Sequence, residues 1–279
     1  MARTRKLVAA LTRRGPHRVL RGDLAFAGLP GVVYTPEAGL NLPAIAFGHD
    51  WLTGADRYSG LLEHLASWGI VAGAPGTQRG LAPSVLNLAF DLGTALDILA
   101  GVRLGPGKIS VHPAKLGVVG HGFGGSAAVF AAAGMPAKLA AVAAIFPTFT
   151  SPPAEQPATT LKVPGLILTT PGDPTALNSN ALSLSRVWDA ATLRIVKKGE
   201  AAGLAEGRRL TQVMGLGGPH RRTQKAVRAL ITGYLLDTLA GDKTYRDFAD
   251  PDVQLPRTVP VDPEAPAVTP QEKIVALLK

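Results

Sequence analysis

Apolar residues along the chain fall into two alternating rhythms. Unbroken short runs bounded by turn residues occur at GVVYTP (31–36), PAIAFGH (43–49), GIVAGAP (69–75), KLGVV (115–119), LAAVAAIFP (139–147), GLILTT (165–170) and ATLRIVKK (191–198). Their length and flanking turn chemistry predict buried strands. Between them the spacing becomes helical. Residues 55–68 place Tyr58, Leu61, Leu62 and Leu65 on one face. A second helix opens at Ser84, a predicted N-cap, and carries Val85, Leu88, Leu92, Leu96 and Leu99. An alanine-rich helix follows KLGVV to about Ala133. The last helix, from about Pro219 to Ala240, points Val227, Leu230, Ile231, Tyr234, Leu235 and Thr238 inward and stops at Gly241.

Fully apolar strands alternating with amphipathic helices predict an α/β fold, with a mostly parallel central sheet and helices on both faces. No internal repeat or second domain is visible. The predicted organisation is a basic N-terminal segment (1–20), one α/β domain (21–250) and a proline-rich tail (251–279). Ligands of such sheets bind beyond the C-terminal strand ends. GHD (48–50), GHGFGG (120–125) and TTPGD (169–173) all fall there.

GHGFGG has two readings. Literally it is G-x-G-x-x-G, a dinucleotide fingerprint. That site also needs an acid about 20 residues on, at the end of the next strand, to hold a ribose hydroxyl. Here that strand ends in Phe146, Pro147 and Thr148, and the first acid after the turn is Glu155. The second reading is a nucleophile elbow, G-x-S-x-G, with Gly122 where the serine belongs.

The surroundings favour the elbow. AIAFGHDWLTGADRYSGLLEHLASWGIVAGAP resembles the β3–turn–helix–β4 segment of α/β-hydrolases, in the dienelactone hydrolase and polyester-hydrolase-like branch. LGVVGHGFGGSAA resembles the elbow of that branch, and VPGLILTTPGDPT the segment that delivers the triad acid. The likeness spans roughly residues 20–245. It implies an α/β-hydrolase fold, and it assigns the triad acid to Asp173 and the oxyanion-hole donors to the backbone N–H groups of Trp51 and Phe123. It also implies a serine at Gly122 and a histidine near Ala202, within a residue or two, and both are missing. Asp50 stands where the family usually has glycine. A carboxylate turned toward a developing oxyanion would raise the barrier the hole is meant to lower.

The expected function is therefore that of a pseudo-hydrolase, a binding or regulatory protein with a site formed by His49, Asp50, Trp51, His121, Phe123 and Asp173, and with an acyl or lipid-like ligand. The alternatives are an ester hydrolase using an unusual nucleophile or a water activated by Asp50 or Asp173, and a dinucleotide-binding protein. Catalysis is the less favoured outcome, because glycine has no side chain to attack with. Other side chains have plainer readings. Ser126, inside a helix, is expected to bond a backbone carbonyl. His121 is expected to pack beside the strand, and Asp173 in PGDP equally fits a turn role. His49 orients the Asp50 loop or touches ligand. His220 reads as a surface residue, and His17, His64 and His112 have no partner in the sequence.

Composition narrows the setting. The chain has 279 residues, 46% hydrophobic and 18% charged, and no cysteine. That excludes disulfides, thiolate metal sites and cysteine nucleophiles. No histidine–carboxylate spacing predicts a metal, and no cofactor is expected. No apolar run approaches a membrane span, and LVAAL is too short for a signal core, so a cytoplasmic protein is expected. The net charge is +9, with Arg3, Arg5, Lys6, Arg13, Arg14, Arg18 and Arg21 preceding the first acid, Asp23. A second basic cluster holds Arg208, Arg209, Arg221, Arg222, Lys225 and Arg228. The plainer reading is a solvated tail and helix face. An anionic membrane surface held through the N-terminus is the alternative. No aromatics interleave with these charges, so nucleic acid is not expected.

Overall fold

A computed structural model describes residues 2–172, 178–207 and 218–259. The strands are β1 (Val19–Asp23), β2 (Gly31–Pro36), β3 (Gly39–Gly48), β4 (Val71–Pro75), β5 (Ile109–His121), β6 (Leu139–Ile145), β7 (Gly165–Thr169), β8 (Ala191–Val196) and β9 (Thr258–Val259). They form one nine-stranded sheet in the order β1-β2-β4-β3-β5-β6-β7-β8-β9. From β4 through β3, β5, β6 and β7 to β8 every pairing is parallel. Antiparallel pairs close the two ends, β1 with β2 and β2 with β4 on one side, β8 with β9 on the other. The α/β class with a mostly parallel sheet is thus present.

Helices cover both faces, as fully apolar strands require. One layer holds α1 (Ala2–Leu11), α2 (Ser59–Ser67) and α7 (Arg221–Thr238). It packs on a cluster containing Leu11, Phe47, Tyr58, Leu62, Ile145, Leu230 and Tyr234. The other layer holds α3 (Val85–Gly101), α4 (Phe123–Gly134), α5 (Glu155–Ala158) and α6 (Ala181–Val187). It packs on a second cluster built from Leu88, Leu96, Val118, Ala128, Ile167 and Trp188. Ser84 caps α3 through a hydrogen bond from the Asn87 N–H (3.2 Å). On α7 the inward face carries Asp237, while Thr238 is half-buried and turns its hydroxyl back to the Tyr234 carbonyl (2.8 Å).

Several elements are not predicted from the apolar rhythm. Residues 2–11 form a helix whose Thr4, Val8 and Leu11 are buried against the same core as α7. Only two of those three are apolar, so the stripe is faint among the basic residues. β1 is a half-exposed edge strand with charged residues in it. At the far edge β9 pairs with the end of β8, at Ile195 and Val196. Arg194, 5% exposed, donates from Nη1 to the Val253 carbonyl (2.8 Å) and from Nη2 to the Asp250 carbonyl. Burial brings its pKa down to about 10, against the pull of Asp250. Among the described residues no helix is long and apolar enough to cross a membrane.

Candidate functional site

The site lies where β3 and β5 end side by side, with Gly48 paired to Gly120. Small residues make the turn after β5 possible. A Cβ on Gly120 would lie 1.9 Å from the Gly124 carbonyl oxygen, and one on Gly124 would lie 2.2 Å from the Gly48 carbonyl oxygen. The chain can reverse from strand into α4 only with glycine at both places. Gly122 sits at the apex with φ 55 and ψ −119. That is the strained backbone in which an elbow holds its nucleophile, adopted here by the residue that bears it without penalty.

The space a side chain at 122 would enter is filled. An ideal Cβ there would lie 2.0 Å from Oδ1 of Asp50 and 2.4 Å from its Cγ. Asp50 therefore points inward. Its Oδ1 accepts from the Trp51 N–H (2.8 Å) and from the Phe123 N–H (3.0 Å). These donors come from two elements, the loop after β3 and the first turn of α4, and converge on one oxygen. Charge-assisted bonds to backbone N–H groups at a helix N-terminus are among the stronger ones available to a carboxylate.

A chain of contacts holds the loop. The Asp50 N–H donates to the Tyr58 hydroxyl (3.2 Å), and that hydroxyl lies 2.8 Å from Nδ1 of His121. On the other side of the ring, Nε2 of His121 lies 3.0 Å from the Ala201 carbonyl. A neutral imidazole with its proton on Nε2 donates to Ala201 and accepts from Tyr58. His121 is buried, with Tyr58 and Phe146 packed edge-on at centroid distances of 5.6 and 5.9 Å. His49 is fully buried too. Its Nδ1 lies 3.0 Å from the Asp50 carbonyl and its Nε2 2.7 Å from the Thr77 carbonyl, so the ring sits between the loops after β3 and β4 and, when neutral, donates to one of the two. Trp51 is half-exposed, and its indole N–H reaches the Leu81 carbonyl (3.1 Å).

The structure thus brings together Gly122, Asp50, Trp51, Phe123, His121 and His49. Ala202 lies exposed on a short 3-10 turn, Ala201–Leu204. Its neighbour Ala201 offers the site a backbone carbonyl. Asp173 lies outside the described residues. Ser126 is buried and donates to the Thr148 carbonyl. His220 is partly exposed, with Nδ1 at 2.8 Å from the Thr223 hydroxyl and 3.7 Å from Glu200. Sequence reasoning missed Tyr58 as a site residue. It appears there only as a core-facing aromatic, although a buried tyrosine hydroxyl needs a polar partner and so carries a signal of its own.

Compared with models of known protein families and with curated proteins, the chain matches none.

Proposed function

We propose that this protein is a pseudo-hydrolase of the α/β-hydrolase fold, in the dienelactone hydrolase and polyester-hydrolase-like branch, serving as a binding or regulatory protein for an acyl or lipid-like ligand. One observation carries the reading. The carboxylate of Asp50 occupies both the volume of the missing serine side chain and the two N–H donors that would receive a substrate's oxyanion. Ester hydrolysis needs those donors free for the charge that develops on the carbonyl oxygen. Supporting it are the elbow-like dihedral angles at Gly122, the alanine at 202, and a sheet in which β4 inserts between β2 and β3. The same carboxylate argues against the dinucleotide alternative, since a pyrophosphate would meet a fixed negative charge at the first turn of α4.

The experiment is a fluorophosphonate probe and a p-nitrophenyl ester offered to the wild type and to Asp50→Gly/Gly122→Ser. The wild type is expected to remain unlabelled and inactive, and the double variant to gain no turnover, since its new serine has no histidine to activate it; labelling at that serine is expected only when Ala202→His is added. Stoichiometric labelling of a wild-type serine would sink the proposal.

A second reading rests on the other oxygen. Oδ2 of Asp50 accepts no hydrogen bond among the described residues, so it is open to take a proton from a water that attacks an ester directly, provided donors other than the Trp51 and Phe123 N–H groups hold the oxyanion. Under that reading the wild type hydrolyses the ester and Asp50→Asn does not.

A further inference from the structure

We infer that the helical layer formed by α1 and α7 is a docking face for an anionic phospholipid surface. The inference is independent of the pseudo-hydrolase reading. It starts from an imbalance between acids and bases on that layer. Four of the acids around it are engaged, while Glu200 lies 3.7 Å from His220 and Asp242 accepts, among the described residues, only the Thr244 N–H. Glu63 pairs with Arg14 (3.3 Å), Glu206 with Arg228 (2.8 Å) and Asp237 with Lys243 (3.0 Å). Asp247 accepts from the Thr4 hydroxyl (2.8 Å) and lies 3.9 Å from Arg246.

The cations are not. On α1 the exposed Arg3, Arg5 and Lys6 have no acidic partner within ion-pair distance among the described residues, and neither does Arg13 just beyond the helix. On the first turns of α7 the same is true of Arg221, Arg222 and Lys225, all exposed. Both sets point outward for a structural reason. Val8 and Leu11 of α1, and Val227, Leu230 and Ile231 of α7, are held in the core. The two helices touch each other, with Thr4 of α1 bonded to Asp247 beyond the C-terminal end of α7, so the two basic sets lie toward different ends of the layer.

The chemistry of the face selects its partner. The apolar stripe of α1 is buried, so the helix cannot insert into hydrocarbon. It can contact a surface only through charge. Each lysine or arginine held near an anionic leaflet contributes to attraction that acts within a Debye length. The exposed large hydrophobic residues, among them Phe26, Trp51, Leu81 and Phe90, belong to other elements. Among the described residues the aromatics near these cations are the half-buried Trp68, whose indole N–H meets the Arg13 carbonyl, and Tyr245, and neither is a fully exposed stacking platform of the kind a single-stranded nucleic acid needs.

The test uses the full chain and sedimentation with vesicles of phosphatidylcholine alone or of phosphatidylcholine with phosphatidylserine, at low and high salt. Binding is expected only with phosphatidylserine, and weakened by salt. R3E/R5E/K6E and R221E/R222E/K225E should each lower it by at least about tenfold. All these positions are exposed, and an unchanged melting temperature confirms that the variants fold. Equal binding to both vesicle types, binding that survives both reversals, or no binding at all overturns the inference. So does retention by single-stranded or duplex DNA of a protein that ignores the vesicles.

Discussion

Two buried histidines sit in contrasting surroundings. His121, at the end of β5, has Tyr58 at one ring nitrogen and the Ala201 carbonyl at the other. His64, on α2 in the same layer as α1 and α7, leaves Nε2 buried with no hydrogen-bond partner among the described residues. Burial is the main cause that brings the His64 pKa down to about 4, with Arg228 adding to it and a hydrogen bond to the Leu11 backbone opposing it. The helical layer therefore tolerates an unsatisfied polar atom, whereas the turn beside Gly122 joins Asp50, Tyr58 and His121 in one connected chain. A network costs more than an apolar core when it is left incomplete. The linked contacts of Asp50 Oδ1, Tyr58 and His121 hold the loop around Asp50 in one arrangement, with Oδ2 of Asp50 left open.

That contrast can be broken at several points. The largest effect is expected from Gly122→Ser. The new Cβ collides with Asp50 Oδ1 and expels the carboxylate from two charge-assisted bonds, on a backbone that already strains any residue but glycine. Chemical denaturation should show a loss of about 3–5 kcal/mol. In an Asp50→Gly background the same substitution should cost only the strain, about 1–3 kcal/mol. Equal losses in the two backgrounds would mean that Asp50 does not own that space.

His64 comes next. Its native pKa of about 4 lies below the ordinary 6.5, so the unfolded chain binds the proton first as pH falls. The stability this neutral ring allows is fully present above 6.5 and is lost as pH drops toward 4. His64→Leu should remove up to about 3 kcal/mol of that acid loss, read as a flatter plot of unfolding free energy between those pH values.

Tyr58→Phe removes the hydroxyl that links Asp50 to His121. A loss of about 1–2 kcal/mol is expected, together with a shifted His121 ring resonance in NMR. An unchanged resonance would show that the link is not made in solution. The smallest effect belongs to Ala202→His. The position is exposed, so stability should stay within about 0.5 kcal/mol. Ester turnover should remain undetectable, since a base alone has no nucleophile to activate.

The legible parts of the molecule were those with a period. Long apolar runs gave the buried strands, and the glycines at 120, 122 and 124 fixed the turn, because each excludes a Cβ for a steric reason. The segments that escaped lack such regularity. α1 hides a three-residue stripe in a basic helix, β1 alternates poorly at an edge, and β9 is two residues long. At the site, the identity of Asp50 could be read but its direction could not. A loop side chain points where hydrogen-bond donors converge, and the pairing of Trp51 N–H with Phe123 N–H exists only once β3 and β5 lie side by side. The link from Tyr58 to His121 spans 63 positions and has no local signature.

The guanidinium of Arg194 works as a clasp, buckling the stretch around residues 250–253 beneath the last parallel strand so that β9 can lie along its free rim. One rim of the sheet is thereby covered at Ile195 and Val196, and the opposite one, at β1, carries arginine and aspartate. Shortening the chain near residue 250 would remove that cover and bare the edge of β8 at Ile195 and Val196. Such a truncation invites strand-to-strand stacking between molecules before it disturbs anything at the Asp50 loop.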